Sequence, residues 1–230
     1  MSIFNDQSRI GLLVPHTDTT LEFDMKRYLP NHFSVHTERM WLKDVTVESE
    51  KIMIAQEVPR AISFLEEIKP ETVVFGCTSA GAIYGRQGDE TLKGTIFAKL
   101  KCRVVSAFSA VLTYLTEINP NRLAVITPYV DSVTMRMVKG LEESGFNVNY
   151  SRGMNLLKDI EIGKLTPENI IRFIEMQSEY LEYTDVLFLS CTNLRALECK
   201  EILQDKLKLK VITSNEAIIR QLNHQVGGGM

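Results

Sequence analysis

Two short motifs recur in this chain at one offset, and that repeat constrains the fold more than any other feature of the sequence. RIGLLVP at 9–15 resembles RLAVITP at 122–128, each an arginine-led apolar run ending in proline. ETVVFGCTSAG at 71–81 resembles TDVLFLSCTNLR at 184–195, each an apolar run ending in a small residue, cysteine and threonine. The prolines lie 113 positions apart (128 minus 15) and the cysteines 114 (191 minus 77). Two unrelated motifs sharing an offset to within one residue mark a duplication: two copies of a β-α-β-α-β unit related by a pseudo-two-fold axis.

The rest of the chain fits that unit. Short apolar runs predict strands at 9–15, 33–39, 72–77, 103–107, 122–128, 147–151, 185–191 and 210–213. Segments of helical period predict helices near 19–29, 49–68, 90–100, 108–117, 130–144, 166–180, 193–206 and 215–223. Alternation of this kind gives a mostly parallel sheet covered by helices on both faces. The expected fold class is α/β: two pseudo-symmetric Rossmann-like lobes, each a mostly parallel sheet flanked by helices. The first lobe is expected over 1–112, rejoined by a C-terminal helix over 214–230, and the second over 113–213. Thr166-Pro167-Glu168 is a helix start, an N-cap followed by proline at the first helical position. Pro59 predicts a kink or break inside the second helix. The closing QVGGGM, 225–230, reads as a mobile tail.

Composition narrows the partners. A net charge of -3 leaves no surplus of Lys and Arg to neutralise phosphates, so no nucleic-acid partner is expected. The basic run at 206–210 reads as a solvated edge. No stretch reaches the ~18 consecutive apolar residues of a membrane helix, so no membrane partner is expected. The first ten residues lack a basic n-region followed by an apolar h-region, which points to the cytoplasm. Four cysteines without a CxxC pair read as free thiols in a reducing compartment. His32 and His36 would share a strand face, but no third ligand lies near them in sequence, so no metal is expected.

The strand ends carry the chemistry. In open parallel sheets ligands sit beyond the carboxyl ends of the strands, where Pro15, Cys77, Pro128 and Cys191 all fall. Two facing halves would point both cysteines into one cleft, an arrangement suited to attack and protonation on two faces of one carbon. Each cysteine is expected at a strand-to-helix turn, where helix N–H groups lower a thiol pKa to ~3.5–7.5. Those N–H groups, with the hydroxyls of Thr78, Ser79 and Thr192, would form a nest for a carboxylate. Two thiolates would repel, so one thiolate and one thiol are expected at rest. One then acts as nucleophile or base and the other as acid. Cys102 and Cys199 lack small polar neighbours at a strand end and read as inert. Two other readings remain open at this point: a non-catalytic small-molecule binding protein, and a thiol redox sensor that closes a Cys77–Cys191 disulfide.

At these residues the chain resembles the aspartate/glutamate racemase superfamily, and within it the maleate cis–trans isomerase and arylmalonate decarboxylase branch. GLLVPHTDTTLE, FGCTSAG, SAFSAVLTYL, LAVITPYVD, DIEIGKLTPE and LSCTNLR carry the resemblance, which spans nearly the whole chain. It implies a cofactor-independent isomerase acting on a small carboxylate, with Cys77 and Cys191 catalytic. It implies substrate binding by Pro15, Asp18, Thr78, Ser79, Tyr129, Thr192 and Asn193. It also implies a homodimer, for which the helices near 19–29 and 108–117 offer apolar residues. Racemisation of an amino acid or an N-acetylated diamino acid is the alternative reaction. Asp18 and Asp159 stand where the branch commonly has asparagine. A carboxylate there would repel a plain dicarboxylate and welcome an amine, unless Asp18 merely caps the following helix. His16 reads as an exposed loop residue, and Arg195 either as a partner for a distal substrate carboxylate or as a helix-surface residue.

Overall fold

The computed structural model describes residues 8–224; the segment 225–230, expected as a tail, lies outside the described residues. Eight strands form two four-stranded sheets, and every pairing is parallel. The first sheet holds β1 (Ser8–Pro15), β2 (Phe33–Met40), β3 (Thr72–Phe75) and β4 (Arg103–Ser106) in the order β2-β1-β3-β4. The second holds β5 (Leu123–Tyr129), β6 (Val148–Leu156), β7 (Val186–Leu189) and β8 (Lys210–Thr213) in the order β6-β5-β7-β8. The duplication read from the motifs is therefore present in the topology. It reaches single hydrogen bonds: Gly76 N–H donates to Leu13 O at 2.7 Å, and Ser190 N–H donates to Ile126 O at 2.9 Å.

The helices are α1 (Leu21–Tyr28), α2 (Val47–Ile52), α3 (Val58–Ile68), α4 (Thr78–Ala82), α5 (Gly85–Leu100), α6 (Ala107–Ile118), α7 (Asp131–Glu143), α8 (Asp159–Gly163), α9 (Pro167–Glu175), α10 (Ser178–Leu181), α11 (Ala196–Leu207) and α12 (Ser214–His224). The break anticipated at Pro59 takes the form of a π-turn over Met53–Glu57, in which Val58 N–H reaches back to Met53 O. Proline has no N–H to return to the carbonyl four residues earlier, so the ladder slips one residue just before it. Thr166 caps α9 by accepting the Asn169 N–H at 3.3 Å, with Pro167 in the first turn.

Strand alternation divides the apolar side chains between two cores. One contains Leu13, Val73 and Phe75 of the first sheet and Ala124, Ile126 and Leu189 of the second. The other contains Ile10, Leu12, Val14 and Val74 together with Leu123, Val125, Phe188 and Ile212, packed on residues of α1, α6, α7 and α12. Both cores draw on both halves. The equivalent helices α6 and α12 pack on each other, so Phe108, Val111, Leu112 and Leu115 are buried within the chain. The apolar content of 108–117 is therefore consumed internally and is not a free dimer face, as the sequence had suggested. β1, β4 and β8 are exposed near their starts and buried at their carboxyl ends, so these strand ends lie inside the molecule.

Candidate active site

β3 stops at Phe75, and Gly76 carries the chain through a gap no side chain could share. A Cβ there would lie 2.5 Å from Leu21 Cδ2 and 3.1 Å from Leu13 O. Cys77 follows as the extended N-cap of α4, with φ -147°. Its Sγ lies 3.8 Å from Ser79 Oγ, and the Ser79 hydroxyl donates to Glu50 Oε1 on α2. Thr78 Oγ1 donates to Ser214 Oγ at 2.9 Å, reaching across to the first residue of α12.

The second half is not a copy at this point. After β7 the chain runs through 190–195 without a helix, and α11 begins only at Ala196. Cys191 sits at φ +121°, in the region that favours glycine, at a cost of about 1–3 kcal/mol that surrounding bonds must offset. Cys191 N–H donates to Ser214 Oγ at 3.1 Å, and Thr192 Oγ1 donates to Gly76 O at 3.1 Å. The Ser214 hydroxyl thus ties the Cys77 turn to the Cys191 turn, and Thr192 ties them a second time. Tyr129, buried at the end of β5, places its hydroxyl 3.4 Å from Ser190 Oγ, beside the Cys191 turn.

Three carboxyl groups surround the thiols. Asp18 is buried beyond β1; its own N–H donates to Pro15 O, and its Oδ1 accepts the N–H groups of Thr20 and Leu21 at 2.9 and 3.0 Å. One oxygen therefore orders the start of α1, while Oδ2 has no partner. Asp159 Oδ2, on α8, accepts from Thr17 Oγ1 at 2.7 Å and Asn193 Nδ2 at 3.0 Å. Asn193 Oδ1 accepts the Thr19 N–H at 3.0 Å, so this amide locks the first loop to α8. Glu50 is fully buried, and its Oε2 is also without a partner. Among the described residues no salt bridge reaches Asp18, Glu50 or Asp159.

Burial without a counter-ion sets the proton inventory. Desolvation, then Asp159, raise Asp18 to about 7, and desolvation raises Glu50 to about 8. Desolvation also raises Asp159. Cys77 is pushed well above the ordinary thiol value by burial and then by Glu50, and Cys191 by burial and then by Asp159 and Asp18. Both expectations about the thiols are thereby corrected. Neither pKa is depressed, because burial outweighs the backbone N–H groups of Ala80 and Asn193 that favour the thiolates. Both thiols favour the protonated form, against the expected thiolate–thiol pair, because burial opposes a thiolate and the adjacent carboxyl groups add to that when ionised.

All nine residues singled out from the sequence, Cys77, Cys191, Pro15, Asp18, Thr78, Ser79, Tyr129, Thr192 and Asn193, are buried in this one region. Their hydroxyls are not all free for a ligand: Thr78 donates to Ser214, Ser79 to Glu50 and Thr192 to Gly76. His16 departs from its reading as an exposed loop residue. Its ring stacks on Trp41 at 4.3 Å, and its Nδ1 accepts the Leu42 N–H at 3.2 Å. Arg195 takes the surface alternative, with a two-pronged bond to Glu198 at 2.6 and 2.7 Å. Cys199 is buried with its Sγ against main-chain carbonyls of Arg195 and Pro167. Two site residues escaped the sequence reading, Glu50 and Ser214. Helical spacing held a signal for the first, since Val47, Glu50 and Met53 share one buried face. Nothing in the sequence marks Ser214, whose role depends on contacts across the two halves.

Among the described residues no group of three or more His, Cys, Asp and Glu side chains is placed to hold a metal ion, and no helix is long and apolar enough to cross a membrane. The family model described as arylmalonate decarboxylase matches residues 10–229. The chain belongs to that family. Its relatives include the maleate isomerase of Nocardia farcinica, 27% identical over 192 residues that cover 80% of this chain and 75% of the relative. The maleate isomerase of Alcaligenes faecalis is 25% identical over 234 residues, covering 95% and 91%. Among solved structures, a cysteine-to-serine mutant of the Nocardia farcinica enzyme with a covalently bound succinylcysteine intermediate superposes with a TM-score of 0.86 at 23% identity, covering 95% of this chain and 92% of that one. Unliganded arylmalonate decarboxylase superposes at 0.81 with 19% identity, covering 97% and 94%. These likenesses fix the fold as that of the family.

Proposed function

We propose that this chain is a cofactor-independent isomerase of a small carboxylate, working with two cysteines in the manner of a maleate cis–trans isomerase. The observation that carries the reading is the pair of hydrogen-bonded ties, through Ser214 and Thr192, that hold the Cys77 and Cys191 turns together across the pseudo-symmetric halves. Relatives spanning most of the chain are named maleate isomerases, and one relative's structure holds a succinylcysteine.

The chemistry follows in balanced steps. Cys77 S–H gives its proton to a base of the site, and the thiolate so formed adds to one alkene carbon of a cis-dicarboxylate, its lone pair forming the C–S bond. The π electrons move to the neighbouring carbon and into its carboxylate, and Cys191 S–H protonates that carbon. Rotation about the new single bond precedes return of the proton to Cys191. Expulsion of the Cys77 sulfur then restores the double bond as the trans isomer. Tyr129, whose hydroxyl lies 3.4 Å from Ser190 Oγ beside Cys191, is placed to donate to the developing negative charge. Asp18 and Asn193 lie on the Cys191 side, and Pro15 ends the strand paired with the one that leads to Cys77.

A racemase of an amino acid is the second reading, favoured by one observation. Asp18, Glu50 and Asp159 are buried with no salt-bridge partner, and an ammonium group would supply one. Proton NMR in D₂O separates the two. Conversion of maleate to fumarate, lost in Cys77→Ser and Cys191→Ser, supports the isomerase. Exchange of an α-proton of aspartate, glutamate or an N-acetylated diaminobutyrate, also lost in both variants, supports the racemase. Silence on every substrate, with intact ligand binding, would overturn both in favour of a binding protein. A cytoplasmic homodimer completes the proposal, and sedimentation checks the oligomeric state.

A further inference from the structure

Both thiols rest protonated, so the one that attacks must first lose its proton, and the fold holds one group placed to take it. We propose that Glu50 is a positioning residue that accepts the Cys77 proton through the Ser79 hydroxyl. The inference rests on the proposed function only in taking Cys77 as the reacting thiol.

The geometry is a three-membered chain. Cys77 Sγ lies 3.8 Å from Ser79 Oγ, within reach of an S–H donor, and Ser79 Oγ in turn donates to Glu50 Oε1. The Ser79 hydroxyl therefore gives its proton toward the carboxylate and keeps a lone pair for the thiol. In the relay, Cys77 S–H passes its proton to Ser79 Oγ while the Ser79 proton passes to Glu50 Oε1. One thiol and one carboxylate become one thiolate and one carboxylic acid, with no change in net charge. The reverse transfer resets the site when the sulfur leaves the product.

The cost of Glu50 supports a role of this kind. The residue is fully buried, one oxygen has no partner and no cation pairs with the other. An apolar side chain of similar volume would fill the space without that penalty. The groups acting on it are Ser79 and Cys77 of α4, Asp159 of α8 and Tyr129 at the end of β5. On its own helix Glu48 and Lys51 are exposed to solvent. Burial raises Glu50 to about 8, which puts the carboxylate within reach near neutral pH while making it a stronger base than a solvated glutamate.

The test reads Cys77 directly and needs no substrate. Iodoacetamide labels the protein across pH, and mass spectrometry of the Cys77 peptide gives its rate apart from the other cysteines. In the wild type that rate breaks near pH 8, where Glu50 titrates. In E50Q the break is expected to vanish, so the rate keeps rising with pH through 8 instead of levelling where Glu50 loses its proton. E50D keeps a titratable carboxyl and restores the break. With maleate as substrate, E50Q lowers kcat by about 10²–10⁴ and leaves KM nearly unchanged. A Cys77 profile in E50Q that superposes on the wild type overturns the inference, even if maleate turnover proves real. A break that disappears in E50Q upholds it, even if maleate is not turned over. Should E50Q fail to fold, Ser79→Ala decides: Cys77 labelling at pH 8 must slow, and an unchanged rate overturns the relay.

Discussion

Replacing Asp18 by asparagine should change how stability depends on pH by an amount set by the site. In the folded chain burial raises this carboxyl from 3.8 to about 7. Folding therefore favours the protonated form, so the stability this group permits is full below its unfolded value and is lost as pH rises through about 7. The full penalty on the alkaline side is about 4 kcal/mol, and about 2 kcal/mol of it accrues between pH 5.5 and 8.5. Asparagine keeps the Oδ1 that accepts from Thr20 and Leu21 but carries no proton to lose. Glu50, Asp24 and Asp89 are also raised by burial, to about 8, 6 and 6, and contribute in both proteins, so the difference between the proteins isolates position 18. Removing the Asp18 charge also relieves Asp159, which acts in the same direction. Urea titrations of the wild type and D18N at pH 5.5, 7 and 8.5 provide the assay. D18N should gain about 2 kcal/mol on the wild type across that range. Parallel stability curves would instead show that Asp18 is not held in a desolvated, unpaired state. D18N should also shift preference away from amine-bearing substrates toward plain dicarboxylates, and an unchanged preference would sink the racemase reading.

Other substitutions probe the frame. Cys191→Gly should unfold at higher denaturant than Cys191→Ala, by about 1 kcal/mol, because only glycine tolerates φ +121° without strain; the reverse order would show that the turn relaxes. Ser214→Ala leaves the buried Thr78 hydroxyl and the Cys191 N–H without their partner, and denaturation should report a loss of about 2 kcal/mol together with slower turnover. Gly76→Ala forces a Cβ to within 2.5 Å of Leu21, and a loss of about 1–3 kcal/mol is expected by the same measurement.

The repeat made the fold legible. A common offset in two motifs implies equivalent strands, and the hydrogen bonds of Gly76 and Ser190 realise that equivalence in the backbone. The placement of Cys77 and Cys191 just beyond equivalent strands was legible for the same reason. What the repeat hid is the local asymmetry between the halves, since α4 follows Cys77 directly whereas 190–195 stays irregular. Similar sequences gave different turns because tertiary bonds decide them: Ser214 and Gly76 hold Cys191 and Thr192 in conformations no local propensity favours. The thiol pKa values were misjudged because a local rule about helix ends omits burial and distant charges. Asp18, Asp159 and Glu50 lie far apart in sequence, and only the folded chain brings their charges onto the sulfurs.

In the proposed mechanism Cys77 bonds to the substrate while Cys191 moves the proton. Incubating Cys191→Ser with maleate, digesting it and sequencing the peptides by mass spectrometry tests that division directly. The Cys77 peptide is expected to gain the mass of one maleic acid, since addition loses no atoms, and Cys77→Ser is expected to gain none at Cys191. No adduct at Cys77, or an adduct at Cys191 in the Cys77→Ser protein, would contradict it.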